Sequence, residues 1–225
     1  METLALIDVE TQGLDPAQHK VIEIGCVLWS VRYACVIAAW SDLVQQESNE
    51  AEVTNRIPAT ALQLGLTQDS ALTRLRNFVA RADLLVAHRA EFDASFLPEL
   101  GKPWVCSKFD IQWPGSKVGD GLVYVALALG VAVTTAHRAL SDCLLLARIF
   151  EAAYQNGADI PALLQRAMRP KATFRGMQRF DENQLAKDAG FQWDGTKKIW
   201  TRRMAIEDAA ALPFPTMRLE QGETA

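Results

Sequence analysis

The feature that most constrains this chain is Leu4-Ala5-Leu6-Ile7, a short apolar run that stops at Asp8. Four apolar residues followed by turn signals at Gly13 and Pro16 read as a buried strand. Asp8 and Glu10 stand two apart at its end. In a strand, residues i and i+2 point to the same face, so both carboxylates leave the sheet on one side. Two like charges side by side are tolerable in water, or where a divalent cation bridges them. The carboxyl end of a strand is where α/β folds place ligands. Taken alone, such a pair is more often two solvated surface acids than a site.

The rest of the chain supplies the layers around that strand. Val21 to Trp29 and Ala34 to Val44 are rich in β-branched and aromatic residues, which predicts a three-stranded meander. Pro58 opens a helical stretch from Ala59 to Leu64, and Ser70 is a candidate N-cap for a helix to about Ala82. Leu84 to Ala87 reads as a strand, Phe92, Phe96 and Leu97 as a helical turn, and Trp104 to Ile111 as another strand. Leu122 to Leu129 is apolar and helical, stopped by Gly130. Leucines and alanines recur at helical spacing from Ala139 to Ala153. Strands first, then strands mixed with helices, predict an α/β fold with a mixed sheet.

At 225 residues, 49% apolar and 22% charged, the chain can bury a sizeable core, which excludes a disordered polypeptide. No apolar run approaches the roughly 20 residues of a membrane span, so no membrane role is expected. The first ten residues carry acids where a secretion signal carries bases. Cys26, Cys35, Cys106 and Cys143 form no C-x-x-C pair, which argues against a zinc ribbon and suits a reducing cytoplasm.

The net charge of −4 hides an asymmetry. Residues 1–165 hold 12 Lys and Arg against 19 Asp and Glu, a net of −7. Residues 166–203 hold 10 against 4, a net of +6, and residues 204–225 a net of −3. Pro161 and Pro170 punctuate the change. The expected organisation is a main domain at 1–157, a linker at 158–170, a small basic α+β module at 171–204 and a flexible tail at 205–225. Within the module, Asp181 would cap a helix to Ala189, with Gly190 as its stop. Phe191–Trp193 and Ile199–Thr201 would flank a turn at Asp194-Gly195.

Two further groups of residues could carry chemistry. Asp93 follows the Leu84–Ala87 strand at the start of a predicted helix, where an acid also suits free backbone N–H groups. Asp142 lies in an apolar helix among Leu140, Leu144, Leu145 and Leu146, so its carboxylate needs a partner, a metal or water. His137, five residues earlier, could reach the same place. Cys143 needs no catalytic part and suits a small core position.

The strings DVETQGLDP, AHRAEFDASFL and AHRALSDC, in that order, resemble the three motifs of the DEDDh (DnaQ-like) 3′–5′ exonucleases, over roughly residues 4–153. The resemblance implies a ribonuclease H-like fold, a mixed central sheet flanked by helices. It implies that Asp8, Glu10, Asp93 and Asp142 hold two Mg²⁺ or Mn²⁺ ions, that His137 is the general base, and that the products are nucleoside 5′-monophosphates. These assignments suit the residue types: hard cations prefer carboxylate oxygens, and a histidine with a pKa near 6.5 accepts a proton close to neutrality. Thr11 and Leu14 would pack on the terminal nucleotide. Gln12 stands where the family's first motif usually has a second threonine. Arg89 stands where the second usually has asparagine; it either grips a substrate phosphate or points to solvent. Phe92 and Phe96 either wedge against a base or pack in the core.

The basic segment also resembles a short module appended to some bacterial and phage exonucleases. Lys171, Arg175, Arg179, Lys187, Lys197, Lys198, Arg202 and Arg203 could track a phosphate backbone. Phe191, Trp193 and Trp200 either stack bases or form the module's core. The module could instead bind a protein partner. The expected substrate is nucleic acid with a free 3′ end, single-stranded or frayed DNA first. The alternatives are an RNA-trimming exoribonuclease of the same superfamily, or a non-catalytic nucleic-acid-binding polymerase-accessory protein.

Overall fold

The computed structural model describes residues 1–133 and 138–219. Strands β1 (Thr3–Thr11), β2 (Val21–Ser30) and β3 (Cys35–Leu43) form the expected meander. Short helices α1 (Glu52–Asn55) and α2 (Ala59–Leu62) lead to α3 (Gln68–Val79), β4 (Leu84–Ala87), α4 (Ala90–Phe96) and β5 (Trp104–Cys106). Helices α5 (Leu122–Ala128) and α6 (Ala139–Gln155) follow. The sheet order is β3-β2-β1-β4-β5. The β1–β2 and β2–β3 pairs are antiparallel, and β1–β4 and β4–β5 are parallel. This is the mixed sheet that the motif order implies.

Alternation along β1 sorts its residues onto two cores. Leu4 and Leu6 join one cluster with Phe150, Ile149 and Leu146 of α6. Ala5, Ile7 and Val9 join a second with Ala71, Leu75 and Val79 of α3. Asp8 and Glu10 continue the Leu4–Leu6 face, so the strand period aims both acids toward α6. Their partners across β2 are Gly25 and Glu23.

Some boundaries differ from the sequence reading; in the second unit the expected Asp181-capped helix is a short 3-10 turn at Phe180–Glu182 followed by a helix at Asn183–Asp188. Trp104 to Ile111 is a strand only as far as Cys106; beyond it the chain turns, with Asp110 accepting a hydrogen bond from the Cys106 amide at 2.9 Å. Helix α3 starts earlier than expected, because the Thr67 side chain, not that of Ser70, caps it and accepts from the Ser70 amide.

The expected linker is also structured. Helix α7 (Ile160–Ala167) is capped by Asp159 and buries Ile160, Leu164 and Ala167 in the core of the first unit. The second unit contains β6 (Lys171–Gly176), α8 (Asn183–Asp188), β7 (Gln192–Asp194), β8 (Ile199–Ala205), α9 (Ile206–Ala210) and β9 (Thr216–Arg218). Its antiparallel sheet runs β7-β8-β6-β9. The expected flexible tail is therefore corrected for residues 205–219. Phe214 and Ala209 complete the small core around Phe174, Phe191 and Met204, and β9 pairs with β6. A module of this size needs those apolar groups, which is why the fold extends to take them. Among the described residues no helix is long and apolar enough to cross a membrane.

One close approach sets where α6 begins. A Cβ built on Gly25 would lie 2.4 Å from the Ala139 carbonyl carbon and 2.5 Å from the Leu140 nitrogen. The α6 N-terminus thus rests on the bare backbone of β2, opposite Asp8. Gly25→Ala should force the helix off the sheet and lower stability by about 1–3 kcal/mol. Urea denaturation against wild type measures it, and an unchanged midpoint would refute the close contact.

Candidate active site

The site forms where β1 outruns its parallel neighbour. Pairing of β1 with β4 covers only Leu4, Leu6 and the residue between them, while β1 continues to Thr11. Helix α4, which follows β4, fills the gap. Asp93, in its first turn and 2% exposed, accepts a hydrogen bond from the Val9 amide at 3.2 Å. A carboxylate from the second motif therefore binds the backbone between Asp8 and Glu10. Helix α6 places Asp142, in its own first turn, on the same face.

The four acids act on one another. Asp8 is held well above the ordinary carboxylate range, first by burial and then by Asp93, Asp142, Glu10 and Glu23. Glu10 is pushed up to about 7, by burial first and then by Glu23 and Asp142. Asp93 is also pushed up to about 7, by burial, although the Val9 amide and Arg89 oppose it. The donor set is all carboxylate oxygen, the type that hard divalent cations take, and its mutual repulsion is what a cation relieves. In charge and donor chemistry these residues fit such an ion. Among the described residues, however, no three His, Cys, Asp or Glu side chains already stand in a ligating array. His137 lies outside the described residues. Cys143 is buried, and burial first, then Asp8, holds its thiol far above its usual pKa, which suits packing and not nucleophilic work.

Two residues that sequence reasoning did not single out organise the surroundings. Glu23, 3% exposed, accepts from Arg138 Nε at 3.0 Å and Nη2 at 2.9 Å, and from the Ala139 amide at 3.1 Å. Ser41 Oγ adds a bond at 3.3 Å. Glu23 thus clamps β2 to the start of α6, at the residue that follows His137 in sequence. A charged residue in an otherwise apolar strand, VIEIGCVLW, was the available signal. His88, in the second motif, bridges Ser107 Oγ at 2.9 Å and the Asp120 carbonyl at 3.0 Å. Burial first, then Lys108, lowers its pKa to about 4.

The expected substrate-contacting residues lie apart in character. Thr11 is buried, and its hydroxyl donates to the Gly13 carbonyl at 2.7 Å; Leu14 is 78% exposed. Arg89 is exposed at the N-cap of α4, with its guanidinium 5.5 Å from the Phe92 ring centroid. Phe92 and Phe96 meet with ring centroids 4.9 Å apart and planes tilted by 52°, and pack against the α3-side core.

In the module, two of the eight basic residues are used in docking it to the first unit. Lys171 Nζ pairs with Asp110 at 2.7 Å, and their side chains are 9% and 6% exposed. Arg202 donates to the Ala189 and Phe109 carbonyls. These contacts take both away from the phosphate-tracking role foreseen for them. Arg179, Lys187, Lys197, Lys198 and Arg203 are exposed, and Arg175 is half-buried. Phe191 is core, Trp200 packs on that core, and Trp193 is 51% exposed.

Comparison with known proteins agrees with this geometry. The family model described as Exonuclease (RNase_T) matches residues 5–100, and one described as a domain of unknown function matches residues 172–219. Exodeoxyribonuclease 10 of Escherichia coli strain K12 is 29% identical over 154 residues, covering 65% of this chain and 66% of that protein. DNA polymerase III PolC-type of Thermotoga maritima is 24% identical over 163 residues, covering 66% of this chain and 12% of that protein. This chain therefore spans just under two thirds of the first relative and a small part of the second.

Among solved structures, exonuclease X in complex with 5′-overhanging duplex DNA superposes with a TM-score of 0.57 at 24% identity, over 73% of this chain and 99% of that one. The nuclease domain of 3′hExo, a DEDDh family member bound to rAMP, gives 0.58 at 18%, over 70% and 94%. The zinc-bound form of the E. coli ExoI–ssDNA complex gives 0.62 at 11%, over 84% and 50%. Residues 5–100 of the first unit thus match the exonuclease family model, and the fold of the unit is the ribonuclease H-like one of those neighbours.

Two predictions follow from the clamp and from His88. In a double-mutant cycle, Glu23→Gln and Arg138→Gln should couple by about 1.5–3 kcal/mol in urea denaturation, the value of hydrogen bonds to charged groups; additive effects would dissolve the clamp. His88 is depressed from about 6.5 to about 4, so its contribution is complete above pH 6.5 and is lost as pH falls toward 4. Between pH 7.5 and pH 5 wild type should lose about 2 kcal/mol more stability than His88→Gln. Parallel losses in the two proteins would refute that assignment.

Proposed function

We propose that this chain is a divalent-metal-dependent 3′–5′ exonuclease that releases nucleoside 5′-monophosphates from single-stranded or frayed 3′ ends, of DNA in preference to RNA. The observation that carries the reading is the 3.2 Å bond from the Val9 amide to Asp93. It joins the second-motif acid to the backbone between Asp8 and Glu10, on the strand whose face receives α6 and Asp142. The names of exodeoxyribonuclease 10 and of the DNA-bound exonuclease X and ExoI structures support the preference for DNA.

Asp8, Glu10, Asp93 and Asp142 would hold the cations, two Mg²⁺ or Mn²⁺ ions. Bound divalent ions supply charge neutralisation and Lewis acidity at a phosphodiester. Everything else falls to the chain's own groups. His137 takes the proton of the attacking water on a ring nitrogen, and near neutral pH an unperturbed imidazole is largely ready to accept it. This role rests on the H-x-A-x-x-D string alone. Glu23 and Arg138 fix the start of α6, and with it the backbone leading to Asp142. Thr11 shapes the turn after Glu10, and the exposed Leu14 beyond it is the surface on which the terminal nucleotide packs.

A second reading, an RNA-trimming enzyme, draws on the rAMP-bound 3′hExo neighbour and on the 3′-exonuclease solved in 3′-end-specific recognition of a histone mRNA stem-loop. End-labelled DNA and RNA oligonucleotides of matched sequence separate the two. With Mn²⁺ or Mg²⁺ the wild type should release mononucleotides from the 3′ end, and EDTA should abolish release. Asp8→Ala and Asp142→Ala should each cost roughly a thousandfold or more in turnover, with circular dichroism unchanged. Faster RNA decay would select the second reading. No mononucleotide from a 3′-labelled strand in Mn²⁺ would overturn both.

A further inference from the structure

The second unit is docked firmly enough to form a wall. The Lys171–Asp110 pair is buried, Lys117 pairs with Asp188 at 2.8 Å, and Arg202 reaches the Phe109 carbonyl. Gly190 packs on Val118 across the junction. Between α4 and β5 on one side and β7, β8 and their turn on the other lies a cleft of about 790 Å³. Three part-exposed rings, Phe92, Trp104 and Phe109, line it together with Arg89, Lys197 and Arg203.

That combination has a known physical use. Sequence-tolerant grooves for single strands pair cations that follow the phosphates with aromatic faces that stack the bases. The acids of the cleft weaken this little. Asp110 is neutralised by Lys171, and Asp194 accepts the Thr196 and Lys197 amides at 2.9 Å each. Glu91 is exposed and 3.8 Å from Arg203, an ion pair too open to hold that side chain strongly.

The cleft reaches the head of α4, where Arg89 lines it, and Asp93 lies one turn further along the same helix. We infer that the cleft between the two units is the track of the substrate strand, holding nucleotides on the 5′ side of the scissile bond after they pass Arg89. The inference rests on the exonuclease reading for the identity of the strand. It assigns the module a role as one wall of the substrate groove.

The test uses the full-length protein and two double variants. Lys197→Glu with Arg203→Glu reverses charge inside the cleft; Arg179→Glu with Lys187→Glu reverses it on the module outside the cleft. All four side chains are exposed, so folding should survive in both. For a 20-residue single-stranded DNA, the cleft variant should raise KM at least tenfold. Its log K against log salt should be shallower by about 1.4, the value for two lost phosphate contacts on a single strand. Hydrolysis of the nitrophenyl ester of thymidine 5′-phosphate, too small to enter the cleft, should stay within twofold of wild type. The outside variant should leave all three readouts near wild type.

Equal KM changes in the two variants, or none in the cleft variant, would overturn the inference. Fluorescence anisotropy of the same DNA in EDTA measures the cleft without catalysis. If wild type cleaves neither substrate, the exonuclease reading fails by itself. The inference then stands or falls on whether only the cleft variant loses affinity.

Discussion

Repulsion among four carboxylates is the condition that the first unit is built to sustain. Asp8, Glu10 and Asp93 are each pushed up by burial, and Asp8 and Glu10 also by neighbouring acids, so an unaided chain would splay them apart or protonate them. Three separate restraints oppose that. The Val9 amide holds Asp93 from the strand. Gly25 lets α6 settle directly on β2. Glu23 fastens the start of that helix through Arg138 and the Ala139 amide. The first acts on a carboxylate of the cluster itself, and the other two act beside it, on β2 and the start of α6.

The same restraints explain why the two sides of the sheet differ. The α3 side is a closed apolar layer, with Ala71, Leu75 and Val79 against Ile7 and Val9. The α6 side is apolar at the Leu4 and Leu6 end and acidic at the Asp8 and Glu10 end. One strand thus serves as core and as site by changing its residues along a single face. This works because pairing with β4 stops after Leu6 and leaves the strand's far end to α4.

Much of this is legible in the sequence because it is local. The period of two along LALIDVE fixes the face of both acids, and the helical spacing after Ala139 fixes that of Asp142. What was hidden depends on distant partners. The α6 backbone that stands against Gly25 belongs to a segment more than a hundred residues later in the chain, and Glu23 meets Arg138 across 115 residues. The strand β6 was missed because KATFRG has weak alternation and gains its order from pairing with β8 and β9. The tail was misjudged for a similar reason: Phe214 and Thr216–Arg218 are unremarkable in sequence and are fixed by the Phe174 core and the β6 edge.

The docking of the module narrows what its basic charge can do. A tethered basic domain raises the local concentration of a strand in any orientation, and its effect depends on linker length. Here the connection is a helix whose Ile160, Leu164 and Ala167 are part of the first unit's core, followed at once by the buried Lys171–Asp110 pair. Breaking such a pair by removing one partner costs about 3–5 kcal/mol, so the two units hold one arrangement. Charge in the segment therefore divides by position. Lys171 and Arg202 hold the dock, Arg202 also lining the cleft beside Arg203 and Lys197, and the remainder lies outside it. The net of +6 is thus a poor guide to phosphate binding, because only the cations along the strand's path can contribute.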